Sequence, residues 1–158
     1  MKGYQLTASG VEPADLIRPG QAARLAAARE ASGHESGELA SLLDISYEAY
    51  RDLEWYDEEV VDALDFDQLV RLAEAIELDL RRFFDADGVG VTTFAELAAL
   101  LERWPGTTAE LEDEVGWELR RHLDDPRTFG ELPAVALADI GRAVGIDWRS
   151  LLPPPAAA

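Results

Sequence analysis

Carboxylates dominate the one stretch of this chain whose side chains point to a specific chemistry. Between Asp44 and Asp67 lie ten of them, Asp44, Glu48, Asp52, Glu54, Asp57, Glu58, Glu59, Asp62, Asp65 and Asp67, against a single cation, Arg51. Such a surface repels a polyanion, because proteins bind duplex DNA by neutralising its phosphates with Lys and Arg. It attracts a cationic protein surface and speeds the encounter with it. Tyr47, Tyr50, Trp55 and Tyr56 are interleaved with these acids. At helical spacing Tyr50 and Trp55 would point into a core, leaving Tyr47 and Tyr56 outward in a ring of carboxylates. Catalysis has no comparable signal: among 32 acids close pairs arise by chance, no Ser sits in a nucleophile elbow, and no glycine-rich phosphate loop occurs. The expectation is a protein that is not an enzyme and needs no cofactor.

Composition supports a folded, acidic chain. Its 158 residues suit one ordinary domain or two small ones, and an apolar content of 47% is enough for a core. A formal net charge of −18, with one Lys and thirteen Arg, disfavours nucleic acid and anionic membrane as partners. The absence of cysteine excludes disulfides and thiolate metal sites. No apolar run reaches the roughly 18 residues of a membrane span, and no charged-then-apolar leader pattern opens the chain, so no membrane contact and a cytoplasmic location are expected. The two histidines, His34 and His122, are too few for a histidine-based metal or catalytic cluster and are expected to be solvated or capping.

The elements that must position these side chains are helices. Residues 1–20, with Gly3, Gly10, Pro13, Pro19 and Gly20, form an arm, and 153–158 a proline-alanine tail. Apolar residues recur at helical spacing in 21–31, which stops at Ser32-Gly33, in 38–43, in 47–56 behind Ser46 as N-cap, and in 67–76, with a last turn at 79–84. Glycine-punctuated residues 85–92 read as a linker. The pattern restarts at 94–104, stopped by Pro105-Gly106; Thr107 or Thr108 caps the next helix, and Pro126 and Pro133 bound short elements before 137–144. Strand alternation is nearly absent, so the class is all-α, with domains at 21–84 and 93–152.

The ends of these two domains are alike. Leu72-Ala-Glu-Ala-Ile-Glu-Leu-Asp-Leu-Arg-Arg-Phe-Phe84 aligns without gaps with Ile140-Gly-Arg-Ala-Val-Gly-Ile-Asp-Trp-Arg-Ser-Leu-Leu152, and Glu38-Leu39 with Glu110-Leu111. A tandem repeat of small helical units is the simplest account; the alternative is a coincidence of two unrelated amphipathic helices.

Residues 22–84 carry Arg29-Glu30-Ala31-Ser32-Gly33, Glu38-Leu39-Ala40, Leu43-Asp44-Ile45-Ser46, Tyr50, Leu53-Glu54, Leu72-Ala73-Glu74-Ala75-Ile76 and Phe83-Phe84. In this order they resemble the Cro-like phage-repressor (XRE-type) helix-turn-helix family. The resemblance implies a lambda-repressor-like bundle, with 38–43 supporting a recognition helix at 46–55. Residues 93–152 would be a degenerate second copy or a dimerisation unit, and a homodimer is one expected assembly. As a DNA-binding regulator, the chain would use Ser36, Tyr47, Glu48 and Arg51. It departs from the family there: Ser36 and Gly37 replace a longer side chain that reaches phosphate, and the turn after the recognition helix is Trp55-Tyr56-Asp57-Glu58-Glu59 rather than basic. The favoured expectation is therefore a scaffold that has exchanged DNA for a basic protein partner, as a DNA mimic, antitoxin or immunity-type inhibitor would. Its contact residues would be Tyr47, Glu48, Asp52, Trp55, Tyr56, Asp57, Glu58 and Glu59.

A third reading concerns metal. Asp85, Asp87, Gly90 and Glu96 fall where a calcium-binding EF-hand loop, which this segment resembles, puts two carboxylates, its glycine and its bidentate glutamate. Val89 stands where that loop needs an oxygen donor, and no second loop occurs.

Overall fold

Helix starts in this chain are written as capping residues. The computed structural model describes residues 19–86, 90–91 and 93–154. They form an all-α fold without strands among the described residues. The first six helices are α1 (Gln21–Ser32), α2 (Ser36–Leu43), α3 (Tyr47–Leu53), α4 (Glu59–Asp62), α5 (Phe66–Ala75) and α6 (Leu80–Phe83). There follow α7 (Phe94–Glu102), α8 (Thr108–Val115), α9 (Arg120–Asp124), a 3-10 helix η1 (Pro126–Glu131), α10 (Ala134–Ala143) and a second 3-10 helix η2 (Trp148–Leu151). Ser46, Asp65, Asp79, Thr93, Thr107 and Asp147 each accept a backbone N–H from the first turn of the helix they precede. A free helix N-terminus leaves four donors unsatisfied, and one such cap is worth about 1 kcal/mol. At α2 the Glu35 N–H donates to Glu38 at 2.9 Å. Gly33 ends α1 at φ 80°, the left-handed turn that glycine adopts at little cost.

α3 is shorter than its apolar period suggests. It stops at Leu53, where the N–H groups of Trp55 and Tyr56 both fold back onto the Asp52 carbonyl at 3.2 and 2.9 Å. The turn brings Asp57 to the start of α1, where its carboxylate accepts from Gly20 and Ala22 N–H at 3.0 and 2.9 Å. α10 begins earlier than expected, directly after Pro133, whose missing N–H costs nothing at a helix start.

The sequence left open whether the two ends of the chain share a core, and they do. Leu25, Leu39, Leu43, Tyr50, Leu53, Leu69 and Leu72 belong to the same buried cluster as Leu97, Leu111, Leu119, Phe129, Leu137 and Ile140. Phe84 meets Trp148 edge-on at 5.1 Å, and Phe66 meets Phe94 at 5.2 Å. Such pairs add roughly 0.5–1.5 kcal/mol beyond the area they bury. The Arg81 Nε donates to the Leu152 carbonyl at 3.0 Å, and the Phe66 N–H to the Leu132 carbonyl at 2.8 Å. The expected linker is part of this packing where described: Ser150 Oγ donates to the Val91 carbonyl at 2.6 Å, and a Cβ on Gly90 would come within 3.0 Å of that hydroxyl.

Candidate interaction face

Two helices joined by Asp44-Ile45-Ser46 build the face. α2 buries Leu39, Ala40 and Leu43, and α3 buries Tyr50 and Leu53. Burying positions 50 and 53 turns Glu48, Arg51, Asp52 and Trp55 outward along one stripe, since residues three and four apart are neighbours on a helix. Ser46 fixes the start of α3 by accepting the Ala49 N–H at 3.0 Å. Asp44 ends α2 in the left-handed region at φ 57°, which Asp tolerates better than most side chains.

The exposed large apolar side chains among the described residues are Leu42 (42%), Tyr47 (51%), Trp55 (73%) and Tyr56 (48%). They all come from this segment. Trp55 corrects the sequence expectation: it is outside the core, because it continues the outward register of Arg51 and Asp52, while the inward register set by Tyr50 passes to Glu54. Arg51 lies over the Tyr47 ring, 5.9 Å from its centroid, and the exposed carboxylates of Glu48 and Asp52 flank it.

The ten acids divide into two groups, which the linear sequence did not reveal. Glu54 is half-buried against Arg29 in a two-pronged ion pair at 2.5 and 3.0 Å, with the same guanidinium donating to the His34 carbonyl at 3.0 Å. The hydrogen bond to Glu54 raises the Arg29 pKa further. Burial pushes the neighbouring Tyr50 phenol far above its ordinary range, and the Glu54 carboxylate adds to the effect. Asp57 caps α1, and Asp65 caps α5 by accepting the Gln68 N–H at 2.7 Å. The Asp67 carboxyl is raised by burial and then by Asp65. The reading of the ten acids as one surface is therefore corrected: Glu54, Asp65 and the expected contact residue Asp57 hold the fold. Glu48 and Asp52 face out, and Glu58 and Glu59 are half-buried beside them.

The arginines are committed as well. Arg24 donates to the Phe83 carbonyl at 2.8 Å and stacks on the Phe83 ring, and Arg71 reaches the Leu42 carbonyl at 3.3 Å. Together with Arg29 they brace α1, α5 and α2 rather than forming a phosphate-facing row. Ser36 opens α2 as a short, half-buried side chain.

Asp87 of the calcium-loop reading lies outside the described residues. Asp85 is exposed with φ 54°, and Glu96 is held in the first turn of α7, accepting from Thr93 Oγ1 at 3.1 Å. Among the described residues, no three His, Asp or Glu side chains group to hold a metal ion. His122, expected in solvent, is 6% exposed; its Nδ1 bonds Thr128 Oγ1 at 2.7 Å and its ring stacks on Phe129. A depression of about 390 Å³ between α8 and α9 is lined by Thr107, Thr108, Ala109, Arg120, Leu123 and Asp124.

Long-range partners such as Arg29 and Glu54 carried no local signal. Tyr47 and Tyr56, expected outward among the acids, are exposed. Among the described residues, no helix is long and apolar enough to cross a membrane. No family model, curated protein or solved structure matches the chain.

Proposed function

We propose that this chain is a non-enzymatic interaction protein on a helix-turn-helix-like scaffold, whose α3 face binds a basic protein partner. One observation carries the reading: among the described residues the exposed large apolar side chains, Leu42, Tyr47, Trp55 and Tyr56, all fall within residues 42–56 together with the exposed carboxylates Glu48 and Asp52. Scattered exposed apolar residues need no explanation, but a cluster rimmed by charge is what an interface core looks like. Aromatic rings supply binding energy at little entropic cost, and they accept cationic side chains on their faces. The Arg51 guanidinium over Tyr47 is an intramolecular instance of the contact an incoming arginine would make on Trp55. Carboxylates around the rings steer the encounter and select for positive charge. A partner of this kind fits a DNA mimic, an antitoxin or an immunity-type inhibitor.

The test is titration of the protein with an arginine-rich peptide at low and high salt. Binding should weaken steeply with salt, and joint Trp55→Ala and Tyr56→Ala substitution should lower affinity about tenfold or more without changing net charge. Equal binding by that variant would refute the face.

A DNA-binding regulator is the second reading, favoured by the three-residue connection between α2 and α3 and by the outward Arg51. Retention of duplex DNA in a low-salt mobility-shift assay, abolished by Arg51→Ala, would replace the first reading with this one.

A further inference from the structure

We infer that the chain is a built-in dimer: residues 93–152 occupy, across a two-fold axis, the docking surface that residues 21–84 present, and the reverse. The correspondence begins within the elements. α5 and α10 each have ten residues at the 68-residue offset of the sequence alignment. Both are followed by a left-handed residue, Glu77 at φ 53° and Gly145 at φ 76°. Leu78 N–H then returns to the Ala73 carbonyl at 2.8 Å, and Ile146 N–H to the Gly141 carbonyl at 2.9 Å. Asp79 and Asp147 accept the N–H groups of Arg81 and Arg149 at 3.1 and 3.0 Å. α2 and α8 each have eight residues, a glutamate (Glu38, Glu110) bonded back to the cap residue's N–H, and a left-handed end at Asp44 or Gly116.

The contacts between the units are reciprocal. Arg81 donates to the carbonyl of Leu152 at 3.0 Å, while its counterpart Arg149 donates to the carbonyl of Phe84, the counterpart of Leu152, at 2.9 Å. α4 packs on α10, and η1, which takes the place of α4 in the second unit, packs on α5. Between them Asp65 forms an antiparallel bridge with Pro133, its own counterpart at the same offset. In a two-fold interface residue i meets j while j meets i, and only positions on the axis meet themselves. A side-by-side stack of two repeats would show neither property. The buried contacts that a second copy would supply are therefore supplied in cis, and the connecting segment is not what holds the units together.

The experiment places a protease site within residues 87–89 of the full chain, cuts it, and follows the two pieces by size-exclusion chromatography and native mass spectrometry. They should stay together as a one-to-one particle of unchanged size. In the cut protein, Arg81→Gln and Arg149→Gln should each weaken association by a similar factor, about tenfold. Arg127→Gln, which removes only a local pair with Asp125, should leave association unchanged. Separation of the pieces on cutting would overturn the inference, and so would a large effect of one arginine substitution with none of the other.

Discussion

Residues 44–65 and 116–133 each lie between an eight-residue and a ten-residue helix, yet they show opposite habits. The second segment leaves none of its large apolar side chains exposed: Leu119 and Phe129 are fully buried, His122 nearly so, and Trp117 and Leu123 partly buried. Two of its arginines are matched locally, Arg121 with Glu131 and Arg127 with Asp125. The first buries Tyr50 and Leu53 but leaves Tyr47, Trp55 and Tyr56 in solvent. On the inferred two-fold arrangement the frame does not require that exposure, because the second segment does without it. Leaving a 73% exposed indole forgoes the roughly 1.5–3 kcal/mol that burying a large apolar side chain provides. In the proposed function that ring is left outside for the partner.

The comparison breaks most readily at the shared core. Phe84→Ala, at a ring 1% exposed between Phe83 and Trp148, should cost about 3–5 kcal/mol. Calorimetry should show one transition moving as a whole. Two transitions with one unmoved would mean that the units are energetically separate. Next in size is the half-buried ion pair: Glu54→Gln leaves the Arg29 guanidinium, whose side chain is 16% exposed, with only the His34 carbonyl as a strong acceptor and should cost about 2 kcal/mol in denaturant unfolding. The open Arg121–Glu131 pair of the second segment, 63% and 49% exposed, should change stability by less than ~0.5 kcal/mol when Glu131 becomes Gln. Removal of the α5 cap, Asp65→Ala, should cost about 1 kcal/mol.

A smaller effect separates the two buried aromatics by pH. Burial, then the Arg121 charge, holds the His122 pKa below its ordinary value. The unfolded chain therefore binds the proton first as pH falls below about 6.5. That linkage removes stability between the unfolded and folded pKa values and leaves it untouched at higher pH. His122→Gln should flatten that part of the stability-against-pH curve, while Tyr50→Phe, whose phenol stays neutral throughout, should not. The smallest effect sharpens the contrast: Trp55→Ala should shift unfolding by less than ~0.5 kcal/mol yet weaken peptide binding.

Much of the fold was legible because its signals are local. Ser46, Thr107, Gly33 and Pro105-Gly106 sit where helices begin and end, and the apolar stripes of α2 and α5 follow the helical period. Tyr47 and Tyr56 were expected outward and are exposed, but Trp55 was misjudged, since only the burial of Tyr50 and Leu53 against the rest of the fold fixes the register that turns residue 55 outward. Sorting the acids failed for the same reason. Glu54 and Glu48 are the same residue type a few positions apart, and only the tertiary position of Arg29 makes one structural and the other surface. His122 was likewise misplaced because its partners, Thr128 and Phe129, come from a turn whose path periodicity does not encode.

Backbone and indole NMR shifts of the full chain, recorded with an arginine-rich peptide and separately with duplex DNA, test the central claim most directly. The account predicts peptide-induced shifts confined to residues 42–58 and the Trp55 indole, reversed by salt, with the DNA spectrum unchanged. Shifts spread evenly over every exposed carboxylate, or DNA-induced shifts centred on Arg51, would contradict it.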